Sequence, residues 1–411
     1  MRVLILSQYY APEPIPKPVE LAEELVKRGH QVSVLTGFPN YPTGRLYPGF
    51  QLALCKRETA NGISITRTYE FPYHGKSAAG RILNYLSFML SAPIGGFVIP
   101  PSDVMYVWHP PLSIGIAAWL ISRLRGIPFV YDVQDIWPES ALASGILKPG
   151  WMMKVMALVE RFIYRKAKHV LVVTDGGRRN LIGKGVPPEK VTILPHWVDE
   201  ALFAGTDADT RSKVREQFGW GGRFVVLFAG NLGTVQGLDT VVEAAAQLER
   251  DSEALIVLVG DGSEKARLKE AASRLGVGRT LQFIDQQPRE NMAGMFAAAD
   301  TLVVHLKRSE IADYVIPTKT FAYLAAGRPI LMAMDGAGAE LVQEVMGGIV
   351  VPPESPAELI RGMHFLMGMP AADRAAMGQR GREYLRTHLS KEQVLPQYER
   401  VLRAAISHGE G

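Results

Sequence analysis

The sequence predicts an α/β chain of two successive doubly wound units, each a parallel sheet covered by helices on both faces. Three observations lead there. The chain has 411 residues, more than one hydrophobic core serves, so two domains of about 200 residues are expected. Its strands read as continuous apolar runs, such as "VLIL", "VMYVW" and "FVVLFAG", the pattern of strands buried on both faces. Between them lie amphipathic stretches of helical length, among them "PVELAEELVKRG" and "LDTVVEAAAQLER".

In chain order, "VLIL", a helix and "QVSVLT" open the first unit. "VMYVW", helical "LSIGIAAWLISRLRG", "PFVYDV", helical "WMMKVMALVERFIYRKAK", "HVLVVT" and "VTILP" complete it. A polar linker is expected around 199–222. The pattern then restarts with "FVVLFAG", "ALIVLVG", "TLQFID", "TLVVHL" and "PILMAM", with helices between. The stretch from Pro370 to His408 reads as two helices split near Ser390. The expected boundaries are 1–198 and 199–389, with a last helix at 390–408, and the cleft between the units is the default ligand site.

One cysteine, Cys55, excludes a disulfide framework and fits a reducing cytoplasm. The opening "MRVLILSQYY" reads as a first strand rather than a signal peptide. Residues 1–195 hold 22 Lys and Arg against 13 Asp and Glu, a balance of +9, and the remainder holds 23 against 28, or −5. A basic first half suggests an anionic partner or a solvated basic surface. Residues 82–102, "ILNYLSFMLSAPIGGFVIPPS", carry no charge. Pro93, Gly95, Gly96, Pro100 and Pro101 break them, so a buried or interfacial helix that touches a membrane without crossing it is expected.

The first turn, "SQYYAPEPIPKP", lacks the glycines of a dinucleotide fingerprint, and "VGDGSEK" has Lys265 where its third glycine belongs. The nine histidines are scattered without metal-ligand spacing, so no metal is expected. "DAD" at 207–209 reads as a helix start capped by Asp209 or Thr210. No nucleophile elbow or catalytic-cysteine context supports a hydrolase. No basic helix or aromatic–basic interleaving supports nucleic-acid binding. Two loops suit phosphates. "FAGNLGTVQG" sets Gly230, Gly233 and Gly237 between a strand and a helix. "IPTKTFAYLAAG" places Thr318 at a helix start and Lys319 in its first turn, where a lysine opposes the helix dipole unless an anion lies between.

These pieces resemble the retaining GT-B glycosyltransferases of family 4, more narrowly the bacterial branch that builds colanic acid, O-antigen and capsule repeat units. The resemblance rests on "LAEELVKRGHQVSVLTGFPNYPTG", "YVWHPPLSIGIAAWL", "PFVYDVQDIWPES", "ILPHWVD", "GNLGTVQGLDTVVEAA", "VGDGSEKARL" and "PTKTFAYLAAGRPIL", which span nearly the whole chain. It implies a sugar-nucleotide donor, with UDP the expected carrier and no further cofactor, held by the second domain. It also implies an acceptor on the first domain and a final helix crossing back to that domain. Carried onto this sequence, Gly230, Asn231, Gly233, Thr318 and Lys319 would hold the donor diphosphate, and Glu340 would lie near the donor sugar or ribose. Asp135 and His109 are the catalytic candidates at the first domain's edge, with Glu13, Lys17 and Trp137 on the acceptor side. Asp132 and Glu139 are assigned to structure. The expected acceptor is a polyprenyl-diphosphate-linked sugar at the inner face of the cell membrane, reached by peripheral contact with anionic lipid.

Three departures qualify the resemblance. The family's pair of glutamates falls at Tyr314 and Ala322, so both acids are missing. Asn231 and Gln236 replace basic residues of the first second-domain turn. "PEPIPKP" replaces a glycine pair and stiffens the first loop. Two competitors stay open: a sugar-nucleotide 2-epimerase of the same fold and a non-catalytic partner subunit.

Overall fold

A computed structural model describes residues 1–75, 77–143, 150–203, 207–248 and 253–407; His408, the expected end of the last helix, lies outside them. The chain divides into two units. Unit 1 comprises Met1–Pro195 together with the residues from Leu395 onward, and unit 2 comprises His196–Val394.

Unit 1 is built on β1 (Arg2–Leu6), β2 (Gln31–Gly37), β3 (Cys55–Ala60), β4 (Ile63–Thr68), β5 (Val104–Trp108), β6 (Phe129–Asp132), β7 (His169–Val172) and β8 (Val191–Ile193). They lie in the order β3-β4-β2-β1-β5-β6-β7-β8, with Val3 opposite both Val32 and Val104. All neighbours are parallel except β3 and β4. That antiparallel hairpin departs from the all-parallel expectation. Its two-residue turn is Asn61–Gly62, at φ +50° and +76°, and two left-handed residues give the turn whose twist matches a hairpin. β3, "CKRETA", is the exposed and charged edge strand, which blunts pairing with other chains.

Unit 2 contains β9 (Phe224–Ala229), β10 (Ala254–Val259), β11 (Leu281–Ile284), β12 (Thr301–His305), β13 (Ile330–Ala333) and β14 (Gly348–Val351), ordered β11-β10-β9-β12-β13-β14 and all parallel. Alternate residues of one strand enter opposite cores: Val225 and Leu227 pack with Phe296, Phe321 and Tyr323, while Val226 and Phe228 pack with Val241, Leu268 and Met363. Both sheets reverse winding direction once, between β1 and β5 and between β9 and β12. Loops leaving the carboxyl ends of strands at such a reversal open a crevice. They are Ser7–Ile15 and His109–Ser113 in unit 1, and the loops after Ala229 and His305 in unit 2.

Three local expectations need correction. The polar 199–222 stretch carries a 3-10 turn at Glu200–Phe203 and a helix at Ala208–Gln217. Asp207, not Asp209 or Thr210, caps that helix by accepting the Thr210 N–H at 2.8 Å. Arg211 and Arg215 hold Asp300, which accepts the Val225 N–H, so the polar residues fasten this helix to the unit-2 sheet. The Ala78–Gly96 helix runs through Pro93; the ring faces the packed side, where burial offsets the lost hydrogen bond. Among the described residues no helix is long and apolar enough to cross a membrane. The C-terminal break falls at Ser390, after a π-helical turn at Leu385–Leu389.

Candidate active site

In unit 2 the site grows from the ends of β9, β10 and β12. Gly230 directly follows β9, and its N–H donates to the Val259 carbonyl. Gly260 follows β10 at φ +141°, and a Cβ there would lie 2.0 Å from the Gly230 carbonyl oxygen. The two loops touch through backbone, which only glycine permits. Leu232 N–H donates to Asp261 O, whereas Asn231 and Gly233 donate no backbone hydrogen bond within the described residues. Against this loop stands Lys319. Its Nζ lies 3.2 Å from the place a Gly230 Cβ would occupy, 3.6 Å from the Phe228 ring centroid and 2.7 Å from Gln236 Oε1. Burial pushes its ammonium down to about 7.

Gln236 is fixed in turn. His305, at the end of β12, pairs its Nδ1 with the Gln236 carbonyl at 2.7 Å, and its Nε2 accepts the Glu354 N–H at 3.2 Å. That pattern makes Nδ1 the protonated nitrogen, and burial lowers the ring's pKa. Thr318 opens the Thr318–Ala325 helix behind Pro317, and Pro317 Cδ lies 3.4 Å from where a Gly338 Cβ would stand. Two helix starts therefore adjoin, that of Lys319 and that of the Ala337–Val345 helix, whose first turn carries the exposed Glu340. N–H groups at helix starts and one lysine form a setting for an anion. Tyr314 closes the Ala312–Tyr314 turn, and Ala322 packs toward the unit-2 core. The sequence marks Gln236 only as a missing cation and does not single out His305; their pairing depends on strand order.

In unit 1 the expected residues fall into two groups, and a third group joins them. Asp132, at the end of β6, accepts hydrogen bonds from Tyr106 Oη and, at 2.6 Å, from Gln134 Nε2. Lys17 Nζ is 3.5 Å from the same carboxylate and lies over the rings of Trp108 and Tyr398, so this buried ammonium is engaged within the unit. Glu13 is also buried, and it accepts the N–H groups of Tyr10, Asn40 and Tyr41 at 2.7–3.0 Å. Desolvation raises its pKa against those bonds. Glu139 and the buried Glu160 share Lys184 Nζ, which also donates to the Trp137 carbonyl at 3.2 Å.

The second group is unpaired. Asp135 is half-buried, burial alone raises its pKa, and its carboxylate has no hydrogen-bond partner among the described residues. His109 is fully buried against Tyr131, with Nδ1 unpartnered among the described residues and its pKa pushed down to about 3. Trp137 Nε1 likewise lacks a partner there. Buried polar groups left open are uncommon away from functional sites.

The third group was not foreseen. Tyr9, Tyr41 and His74 bring their rings within 5.0–5.7 Å of one another. Beneath them Glu70 accepts from Gln8 Nε2 and Asn40 Nδ2, and Gln8 donates to Asn84 Oδ1. Desolvation raises the Glu70 pKa well above the ordinary carboxyl value and drops His74 to about 4. An aromatic wall over neutral polar groups suits a sugar face. "NYPTG" carries Tyr41, but Glu70 and His74 come from a distant loop.

Comparison with known proteins agrees with this architecture. Residues 18–197 match the Glycosyl transferase 4-like domain and residues 210–384 match the Glycosyl transferases group 1 family. The chain is 30% identical, over 97% of its length and 98% of the relative's, to the "Putative colanic acid biosynthesis glycosyl transferase WcaI" of Escherichia coli. HepE of Anabaena, solved in complex with UDP-glucose, superposes with a TM-score of 0.73 at 18% identity, covering 98% of this chain and 100% of that one. WaaG, a glycosyltransferase involved in lipopolysaccharide biosynthesis, gives 0.68 at 18% identity, covering 98% and 99%. The full-length match and the two domain matches, falling on two Rossmann-like units, establish that this chain belongs to the GT-B glycosyltransferases of family 4.

Proposed function

We propose that the chain moves a hexosyl or N-acetylhexosaminyl group from a UDP-sugar to a polyprenyl-diphosphate-linked glycan, with retention, during cell-surface polysaccharide assembly. The observation that carries this reading is the unit-2 cradle, in which glycine backbone, two helix starts and Lys319 converge around the end of β9. The colanic-acid description of the Escherichia coli relative and the UDP-glucose bound by HepE support the choice of pathway class and donor.

In this reading Gly230, Asn231, Gly233, Thr318 and Lys319 hold the diphosphate, and Glu340 faces the ribose or sugar. The bond between the anomeric carbon and the β-phosphate oxygen breaks. Charge developing on that oxygen is met by Lys319 and the helix starts. The acceptor hydroxyl attacks from the same face, its proton passes to the departing phosphate oxygen, and UDP leaves. Holding the acceptor near the anomeric carbon supplies much of the rate gain. Asp135 orients the acceptor hydroxyl or steadies the cationic sugar, beside His109 and Trp137. Glu13 and Lys17 act from beneath, bracing the loop after β1. The enzyme works as a cytoplasmic protein in peripheral contact with the anionic inner face of the membrane, where such acceptors reside.

A thermal-shift panel of UDP-, GDP- and dTDP-sugars tests the donor: UDP-sugars raise the melting temperature in wild type and less in Lys319→Met. Incubation with donor alone tests the reaction class. An isomerised sugar nucleotide formed without acceptor sinks the transferase reading in favour of the epimerase.

A further inference from the structure

Three loops of the unit-2 cradle meet on one fully buried side chain, His305, the last residue of β12. Its Nδ1–H donates to the Gln236 carbonyl in the loop after β9, and its Nε2 accepts the Glu354 N–H from the loop after β14. Two residues on, the Lys307 N–H donates to the Val235 carbonyl at 3.0 Å. Packing is as close as the bonding. Gly237 stands at φ +59°, and a Cβ on it would lie 2.9 Å from His305 Cε1 and 2.8 Å from Lys307 Cγ. Only glycine lets the β9 loop lie this near the ring.

Glu354 adds an independent sign. It is a non-glycine residue at φ +57°. Its N–H is tied to His305, and its carboxylate accepts the Arg308 N–H at 3.0 Å. Such backbone strain persists only where the surroundings over-determine it, and it gathers at ligand sites.

The chain of contacts ends at Lys319. With the Gln236 backbone fixed by His305, the Gln236 amide Oε1 accepts from Lys319 Nζ at 2.7 Å, while the ammonium lies 3.6 Å from the Phe228 ring centroid. Among the described residues Gln236 is the only hydrogen-bond acceptor of that ammonium. An ammonium has three donors, so the others remain for an anion at the loop after β9. A glutamine sets the direction of the ammonium without neutralising it, whereas a carboxylate in its place would repel the anion.

We propose that His305 is a positioning residue of the donor cradle: by fixing Gln236 it aims the Lys319 ammonium at a diphosphate seated on the loop after β9. The Nδ1 bond does the aiming, and the Nε2 bond braces the loop after β14. The ring works uncharged. Burial lowers its pKa against the pull of the Gln236 carbonyl and Glu354, and the Lys307 and Lys319 charges add to the lowering. The inference rests on the donor reading above and deepens it by naming what sets Lys319 in place.

Calorimetric titration with UDP near pH 7 separates the two bonds. His305→Leu removes both and should raise the UDP dissociation constant about tenfold. His305→Asn keeps an amide donor where Nδ1 stands and loses the Nε2 acceptor. It should bind UDP within about threefold of wild type, although both variants melt below wild type. Gln236→Leu should match His305→Leu in affinity, and the two combined should be no weaker than either alone, since one acts through the other. Gln236→Glu should weaken UDP binding and move upward the pH above which affinity falls, because a carboxylate holds the Lys319 proton; Gln236→Leu should move it downward. Equal weakness of the Asn and Leu variants at 305, losses that multiply in the pair, or wild-type affinity in His305→Leu overturns the inference and leaves His305 a structural brace. Should His305→Leu not fold, His305→Asn weakened as far as Gln236→Leu is the overturning result. A wild-type protein that binds none of UDP, GDP and dTDP sinks the donor reading itself, and this inference with it.

Discussion

Lys319 shows how one buried charge couples a site to pH. Its ammonium falls to about 7 in the fold, against 10.5 for the free side chain. Between those values the unfolded chain binds the extra proton, so this group's contribution to stability rises with pH across that window. Below about pH 7 the buried site carries the charge and its desolvation cost. A diphosphate reverses the preference, because it binds the ammonium and not the amine. Donor affinity should therefore fall as pH rises above 7, and UDP binding there should take up a proton; calorimetry in buffers of different ionisation enthalpy measures both. Lys319→Met should flatten that profile and raise the UDP dissociation constant at neutral pH by about 10–100-fold. Asp135 gives the matching prediction in unit 1. Its carboxylate has no hydrogen-bond partner to lose among the described residues, and burial disfavours its charge, so Asp135→Asn should not lower the melting temperature at neutral pH. If it acts on the reacting groups, kcat falls by about 100-fold or more; an unchanged kcat would reduce it to a shaper of its turn.

At the scale of elements, two glycines with positive φ separate conformation from contact. Gly62 sits in the β3–β4 turn at φ +76°, and the atom nearest an added Cβ is Val26 Cγ1 at 3.7 Å. Gly62→Ala should therefore cost only backbone strain, about 1 kcal/mol by urea denaturation. Gly260 shares the sign of φ, but its Cβ would strike the Gly230 carbonyl. Gly260→Ala should part the β9 and β10 loops and abolish the UDP-induced thermal shift, with a larger stability loss than Gly62→Ala in the same titration. A comparable loss at both positions would mean that the two loops yield easily. The hairpin's turn rests on a local Asn–Gly dipeptide, whereas the contact between the two loops follows from β10 pairing with β9 in register.

For the whole molecule, the chain's last helix belongs in part to its first unit. Tyr398 is buried in unit 1 with its hydroxyl 3.5 Å from Asp132, and Glu399 Oε1 lies 3.0 Å from His30 Nε2. The Lys17–Asp132 pair is thus sealed by Tyr398, 266 positions beyond Asp132 in the chain. Tyr398→Ala should lower stability by about 3–5 kcal/mol, because it opens a cavity beside a buried charge pair. Denaturant unfolding followed through unit 1 measures it, and a change below 1 kcal/mol would show that the seal is dispensable.

The sequence by itself determined the two-unit α/β architecture, since apolar runs separated by amphipathic stretches have few other ways to bury their faces. It also singled out the loop after "FVVLFAG" and the helix start at Thr318 and Lys319, because glycine and a first-turn lysine carry local conformational and electrostatic meaning. Only the tertiary structure decided which charges are already engaged. Glu13 and Lys17 resemble free cleft residues in the sequence, but they are held by Tyr10, Asn40, Asp132 and Tyr398 through contacts that span much of the chain. Tyr9, Tyr41 and His74 meet only because β1, β2 and β4 end side by side. Hydrogen bonds and ring contacts between distant loops depend on strand order, and strand order leaves no local trace.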